Sequence, residues 1–412
     1  MIITKRYILI LLVLIIIIVL GNILFFQKHI LNNTIDNTKS SINTSETSKI
    51  QLIISSMTTE EKVGQLFICG YRKDISEKNI YLLSDYLINE INKYHLSGLI
   101  LFSENMQNAN QLKKLIVDIN NVDTEIPMFI SVDVEGGLVD RLAKSSITQS
   151  LPYISKLGNT KDTNLSYEYS KIIGRQLASL GFNLDFAPVC DLDNSDSIKY
   201  RSFGKDPILV GKMVAAYIKG LKEYKIGSTI KHFPGLGTSI GDTHTVVAHS
   251  NSTLENLEKN DFIPFKYGID AGSNIVMISH VIYDNLSENK LPASLNSDIY
   301  SILRNKLNFN GIIITDGLEM GAITKQNITT TPSYATFIAG ADMLLLPENI
   351  DKSYYEILNA VNSGKISIER LDSSVERILE YKDKLGMFSK NETTVNLNDM
   401  NDQKVIDSIN NY

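Results

Sequence analysis

Three of the six histidines in this 412-residue chain fall within KHFPGLGTSIGDTHTVVAH, residues 231–249, beside an Asp, a Lys and several glycines. Residues of these types could bind phosphate, hold a metal or move a proton. A phosphate loop needs its glycines to lead into Gly-Lys-Ser/Thr, whereas here Lys231 precedes them. A zinc site could draw on His232, Asp242, His244 and His249, but H-E-x-x-H spacing is lacking and a Gly-rich segment separates the candidates. The third chemistry uses Asp242 and His244. They are two positions apart, so in an extended segment both side chains point the same way. The carboxylate can then hold one imidazole nitrogen and leave the other to carry a proton. Gly235, Gly237 and Gly241 would make the segment compliant, and Pro234 would end a preceding strand. A proton donor of this kind needs a partner fixed on a rigid scaffold. Asp316, in IIITDGLEMGAI, is the expected partner.

The scaffold is legible in short, nearly all-apolar runs that recur along the chain. They are QLFICG (65–70), LSGLILF (96–102), MFISVD (128–133), NLDFAPV (183–189), GSTIKHF (227–233), NIVMISH (274–280), GIIITDG (311–317) and ADMLLLP (341–347). Helical patterns such as 167–181 and 206–224 separate them, and Thr58 with Glu61 forms a candidate capping box. Strands apolar on both faces and alternating with helices suit a parallel sheet covered by helices. Eight repeats predict an α/β fold, a (β/α)8 barrel of the TIM type, with a doubly wound sheet as the alternative. Polar residues collect at the C-terminal ends of the runs: Asp133 and Glu135, Asp185 with Asp191 and Asp193, Lys231 and His232, His280, and Asp316. In a barrel those ends share one rim.

Taken in order, SVDVEGGLVDRL (131–142), NLDFAPVCDLD (183–193), RSFGKDP (201–207), KHFPGLGTSIGDTH (231–244), VMISHVIYD (276–284), IIITDGLEMGAI (312–323), FIAGADMLLLP (337–347) and ERLDSSVERIL (369–379) carry a resemblance. From about Met57 to LGMF at 385–388 the chain resembles the family 3 glycoside hydrolases, specifically the β-N-acetylglucosaminidases of peptidoglycan turnover. The resemblance implies a retaining enzyme without metal or organic cofactor. It implies Asp316 as nucleophile and Asp242 with His244 as an acid/base dyad. Asp133, Arg201, Lys231 and His232 are similar to the residues that grip the sugar. The chain departs from the family's usual residues at Leu138, Leu236, Gly317 and the VVAHS that follows His244–Thr245. The expected reaction is removal of terminal β-linked N-acetylglucosamine from peptidoglycan-derived saccharides or muropeptides. The competing readings are a phosphorylase using the same intermediate and a non-catalytic glycan-binding protein.

Composition and the chain's start bear on location. A net charge of −6 with no basic run after the first residues gives no footprint for nucleic acid. Two cysteines, Cys69 and Cys190, make neither a zinc framework nor a disulfide scaffold, and both are expected unpaired in the core. After Lys5 and Arg6 comes YILILLVLIIIIVLGNILFF, residues 7–26, without a charge. As a helix it would cross the roughly 30 Å hydrocarbon core, and the preceding charges would keep its start cytoplasmic. A cleaved signal peptide, although no small-residue cleavage site follows, and a buried soluble helix are the alternatives. The expected organisation is a membrane anchor at 1–29, a polar linker at 30–50, the barrel at 51–390 and a polar tail at 391–412 ending in a short helix. The barrel is expected outside the cell membrane and as a monomer.

Overall fold

A computed structural model describes residues 49–196, 198–236, 248–286, 290–324, 326, 328–389 and 402–412. The expected anchor at 7–26 and most of the linker lie outside the described residues. So do Asp242 and His244. Among the described residues no helix is long and apolar enough to cross a membrane. The chain separates into two units at Met57; of the first, residues 49–56 are described and helical.

The second unit is built on eight parallel strands: β1 (Phe67–Cys69), β2 (Gly98–Ile100), β3 (Phe129–Val132), β4 (Leu184–Asp185), β5 (Gly227–Phe233), β6 (Ile275–Ile278), β7 (Ile312–Thr315) and β8 (Leu344–Leu345). Each falls inside one of the eight apolar runs. Neighbours in sequence are neighbours in the sheet, and β8 pairs with β1 through Phe67↔Leu344 and Ile68↔Leu345. A single parallel bridge, Ile314↔Met343, links β7 to β8, so the sheet curls into a nearly closed barrel. Every residue of these strands is buried, which is why none shows the apolar–polar alternation of a half-exposed sheet.

A helix follows each strand: α1 (Asp85–Tyr94), α2 (Ala109–Asn120), α3 (Thr163–Leu180), α4 (Pro207–Lys222), α5 (Phe262–Asp270), α6 (Ser297–Ser301, continued by a wide turn over Ile302–Lys306), α7 (Pro332–Ala339) and α8 (Ile350–Asn362). Their starts are written locally. Ser84, Asn108, Asp162 and Asp206 each accept from a backbone N–H of the first turn, and Pro207 sits where no N–H is needed. The expected capping box is present: Thr58 N donates to Glu61 at 2.7 Å and Glu61 N to Thr58 Oγ1 at 3.2 Å. Cys69 and Cys190 are free and buried. The last described segment holds the helix Gln403–Asn410, which buries Ile406 and Ile409, and Lys156 Nζ donates to Asn410 Oδ1 at 3.5 Å.

Candidate active site

The rim at the strands' C-terminal ends is shaped first by the turn after β3. Val134–Gly136 pairs antiparallel with Val139–Asp140, folding Glu135 back over the barrel. Gly136 and Gly137 both have positive φ (93° and 62°), where a side chain would be strained. A Cβ on Gly136 would also stand 2.0 Å from the Tyr169 hydroxyl. The turn is tied down by Asp185, at the end of β4, whose Oδ1 accepts from Val134 N at 2.9 Å. Burial pushes the Asp185 carboxyl well above the usual range, against the Val134 N–H and Lys231, which lower it.

Above it lies a fixed array of charges. Arg201 donates through Nε and Nη2 to the two oxygens of Glu135, at 2.8 and 2.7 Å. Lys231 Nζ, from β5, stands 2.7 Å from Glu135 and 3.2 Å from Asp133. Asp133 also has Arg141 at 3.7 Å. Burial alone would raise the pKa of Glu135, yet Arg201 and Lys231 outweigh it and hold the carboxyl well below the usual carboxylate range. Lys231 shows the converse. Burial disfavours its charge, but Glu135 and Asp133 prevail and raise its pKa. Both cations therefore stay charged in a place that water barely reaches.

The second half of the site is set by Asp191, 1% exposed. Its carboxylate accepts from His232 N, faces His232 Nδ1 at 2.7 Å and accepts from Leu236 N at 2.7 Å. One side chain thus orients the imidazole and pins the chain on both sides of Pro234. His232 and His280 both lie near enough to Asp316 to act on its charge. His280 Nε2 donates to Gly317 O at 3.0 Å, and its Nδ1 pairs with Ser294 Oγ at 2.8 Å. Burial lowers the His280 pKa, although Asp316 opposes it.

Asp316 follows β7 directly, and its backbone N–H donates to Ile278 O on β6 at 3.0 Å. Gly317 N donates to its Oδ1 at 2.8 Å. Burial would raise its pKa, but His232, His280, the Gly317 N–H and Lys231 together lower it below the ordinary value. The carboxylate is only half-buried, as is Asp133, whereas Glu135, Lys231 and His232 are buried. The floor of the rim is therefore a supported layer of charge with two carboxylates facing outward. One of them is a stable anion that can act as a nucleophile.

Of the seven residues expected at the site, the structure brings Asp133, Arg201, Lys231, His232 and Asp316 to one rim. Asp242 and His244 lie outside the described residues. Glu135 and Asp191, noted at strand ends but given no role, prove to hold Arg201, Lys231 and His232 in place. Their signal was available: a carboxylate buried between apolar neighbours needs a cation or several N–H groups to accept from. Among the described residues no three His, Cys, Asp or Glu side chains gather as a metal-ligand set.

Known proteins share this arrangement of sequence and fold. A protein described as beta-hexosaminidase A from Pseudoalteromonas piscicida is 28% identical over 373 residues, covering 81% of this chain and 62% of that protein. The beta-hexosaminidase of Stenotrophomonas maltophilia (strain K279a) is 32% identical over 272 residues, 64% of this chain and 80% of its own length. A solved family 3 β-N-acetylglucosaminidase from Paenibacillus sp. str. FPU-7 superposes with a TM-score of 0.79 at 32% identity, covering 86% of this chain and 68% of that one. The family model named glycosyl hydrolase family 3 N terminal domain matches residues 58–381, and with the barrel and its rim this shows that the chain belongs to glycosyl hydrolase family 3.

Proposed function

We propose that this chain is a retaining exo-β-N-acetylglucosaminidase acting on peptidoglycan-derived saccharides or muropeptides. The observation that carries the reading is Asp316: a half-buried carboxylate at the end of β7, kept ionised by His232, His280, Lys231 and a backbone N–H. Relatives and a structural neighbour described as hexosaminidases support the sugar. Asp316 attacks the anomeric carbon, and the bond to the leaving oxygen breaks as that oxygen takes a proton from the His244 imidazolium, oriented by Asp242. Water then attacks the glycosyl ester, His244 takes its proton, and Asp316 is released as a carboxylate. Lys231, held by Glu135 and Asp133, and Arg201 supply positive potential where the sugar hydroxyls and ring sit.

The test separates the two displacements. Asp316→Ala should abolish turnover. His244→Ala should lose most activity on an unactivated disaccharide yet recover glycosylation on an aryl glycoside whose phenolate leaves unaided. Its glycosyl-enzyme should then accumulate and give a burst. Wild-type turnover of the unactivated disaccharide by His244→Ala would remove it as the proton donor.

Residues 7–26 are proposed to anchor the barrel outside the cell membrane, supported by their uncharged length and by Lys5 and Arg6 ahead of them. Cell fractionation with external protease checks this. The barrel should sediment with membranes and be released by protease; a barrel in the soluble cytoplasmic fraction rejects the topology.

A further inference from the structure

Beside the charged rim lies a feature that the chemistry at Asp316 does not use. Tyr153 and Tyr200 stack at 5.2 Å between ring centroids, tilted by 42°. Both remain exposed, at 42% and 47%, and Leu138 near them is 56% exposed. Tyr153 and Leu138 line an open groove of about 570 Å³ together with Gly137, Ser150 and Lys156, and Tyr200 packs against Tyr153. What sets this aromatic pair apart from the other exposed apolar side chains is that it meets a groove, where the flat face of a ligand could cover it.

Both rings are anchored to the residues that hold the site. Tyr200 immediately precedes Arg201, whose guanidinium is locked on Glu135. Tyr153 packs on Gly137, where a Cβ would stand 2.6 Å from the Tyr153 Cα. Gly137 is two residues beyond Glu135, in the ribbon that Arg141 N closes by donating to Asp133 O at 3.2 Å. Five extended residues span at most about 18 Å, so Leu138 is no farther than that from Asp133, and the folded ribbon brings it nearer.

We propose that this groove is the subsite for the sugars on the leaving-group side of the scissile bond, with a pyranose ring stacked on the Tyr153–Tyr200 pair. This rests on the reading of the chain as an N-acetylglucosaminidase. A terminal sugar placed against Asp133, Lys231 and Asp316 leaves the remainder of the saccharide to run outward over the rim, and the turn after β3 forms a wall of that rim. The occupant's chemistry fits. A pyranose has an apolar C–H face for a tyrosine ring and polar edges for the tyrosine hydroxyls, Ser150 and Lys156. The C-terminal helix closes the far side through Asn410. Binding energy from this remote ring would be spent on holding the scissile bond in place, so it should appear in kcat/KM for long substrates and not for short ones.

The experiment compares triacetylchitotriose with 4-nitrophenyl N-acetyl-β-glucosaminide, which has no second sugar. Tyr153→Ala with Tyr200→Ala should lower the ratio of kcat/KM, trisaccharide over aryl glycoside, by about tenfold, the change that roughly 1.4 kcal/mol of lost contact makes. Tyr153→Phe with Tyr200→Phe should keep most of the ratio. Leu138→Asp, on an exposed side chain, gives a second variant should the alanine pair fold poorly, and should lower the ratio in the same direction. An unchanged ratio in the variants overturns the subsite. Should the wild-type protein hydrolyse neither compound, the enzymatic reading fails, and calorimetric titration with triacetylchitotriose decides the groove alone. Binding by wild type that the alanine pair loses upholds a saccharide groove; equal binding by both, or none by wild type, rejects it.

Discussion

The smallest decisive unit is the carboxylate of Glu135, which has two cations on it and 1% side-chain exposure. Removing two cations from water costs several kcal/mol each unless a counter-charge meets them. Arg201 and Lys231 can stand together at the floor of the rim because Glu135 lies between them, with Asp133 as a second partner of Lys231. Glu135→Gln keeps the shape and removes the charge. It leaves two buried cations facing an amide whose own NH2 competes as a donor. We expect a loss of about 3–5 kcal/mol of stability, read as a lower midpoint in urea, out of the roughly 5–15 kcal/mol that domains possess. Superimposable unfolding curves for wild type and E135Q would show that the triad is not a structural requirement.

At the scale of strands and loops, what was legible follows from what burial demands. The eight strands could be located because parallel strands under helices are apolar on both faces, and runs such as IIIT and IVMI leave no other reading. The caps of α1 to α4 were equally local. Element lengths were not: the NLDFAPV run forms only Leu184–Asp185 of β4 before the chain turns, and its ladder resumes at the Val189↔Lys231 bridge. The rim could be anticipated because strand ends share it, so Asp133, Lys231, His232 and Asp316 met as expected. The supporting roles could not, since they join residues distant in sequence. Asp191 contacts residues 41 and 45 positions on, and Glu135 meets Arg201 across 66. Sequence spacing indicates which groups reach the rim; only the three-dimensional fold says which of them hold the others. The Asp191 contacts with His232 and Leu236 also show how one carboxylate adds to the backbone hydrogen bonds that fix a strand end and the loop root after it, such as Gly235 N to His232 O and Ser279 N to Phe233 O.

Across the whole barrel, buried or half-buried cations meet carboxylates at both ends: Arg201 and Lys231 at the rim, and Arg304, Arg370 and Arg377 around Asp342 at the opposite end. There Lys382, from the helix Ile368–Lys384 that follows α8, is fully buried and donates to Gln65 Oε1 at 2.8 Å and Ser97 O at 3.1 Å, with its Nζ 5.0 Å from the centre of the Phe129 ring. These partners are neutral. Burial therefore pushes its pKa well below the ordinary lysine value, despite donor geometry and a ring face that favour an ammonium. The sign of the pH effect follows. In the unfolded chain this lysine binds a proton up to about pH 10.4, while in the folded protein it releases it at the lower folded pKa. Between those two values the unfolded state holds more protons, so the contribution of Lys382 to stability rises with pH and is lost as pH falls toward the folded value. Lys382→Met keeps the stem's length and removes the titration. Gln65 and Ser97 lose a donor, which lowers stability by a roughly constant amount of about 1–3 kcal/mol, whereas the pH-dependent part disappears. Urea unfolding at pH 7, 8 and 9 should therefore give a shallower rise of stability with pH in Lys382→Met than in wild type. Equal slopes would mean that Lys382 titrates alike in the folded and unfolded protein, and that the closed end of the barrel tolerates an ammonium without a counter-charge.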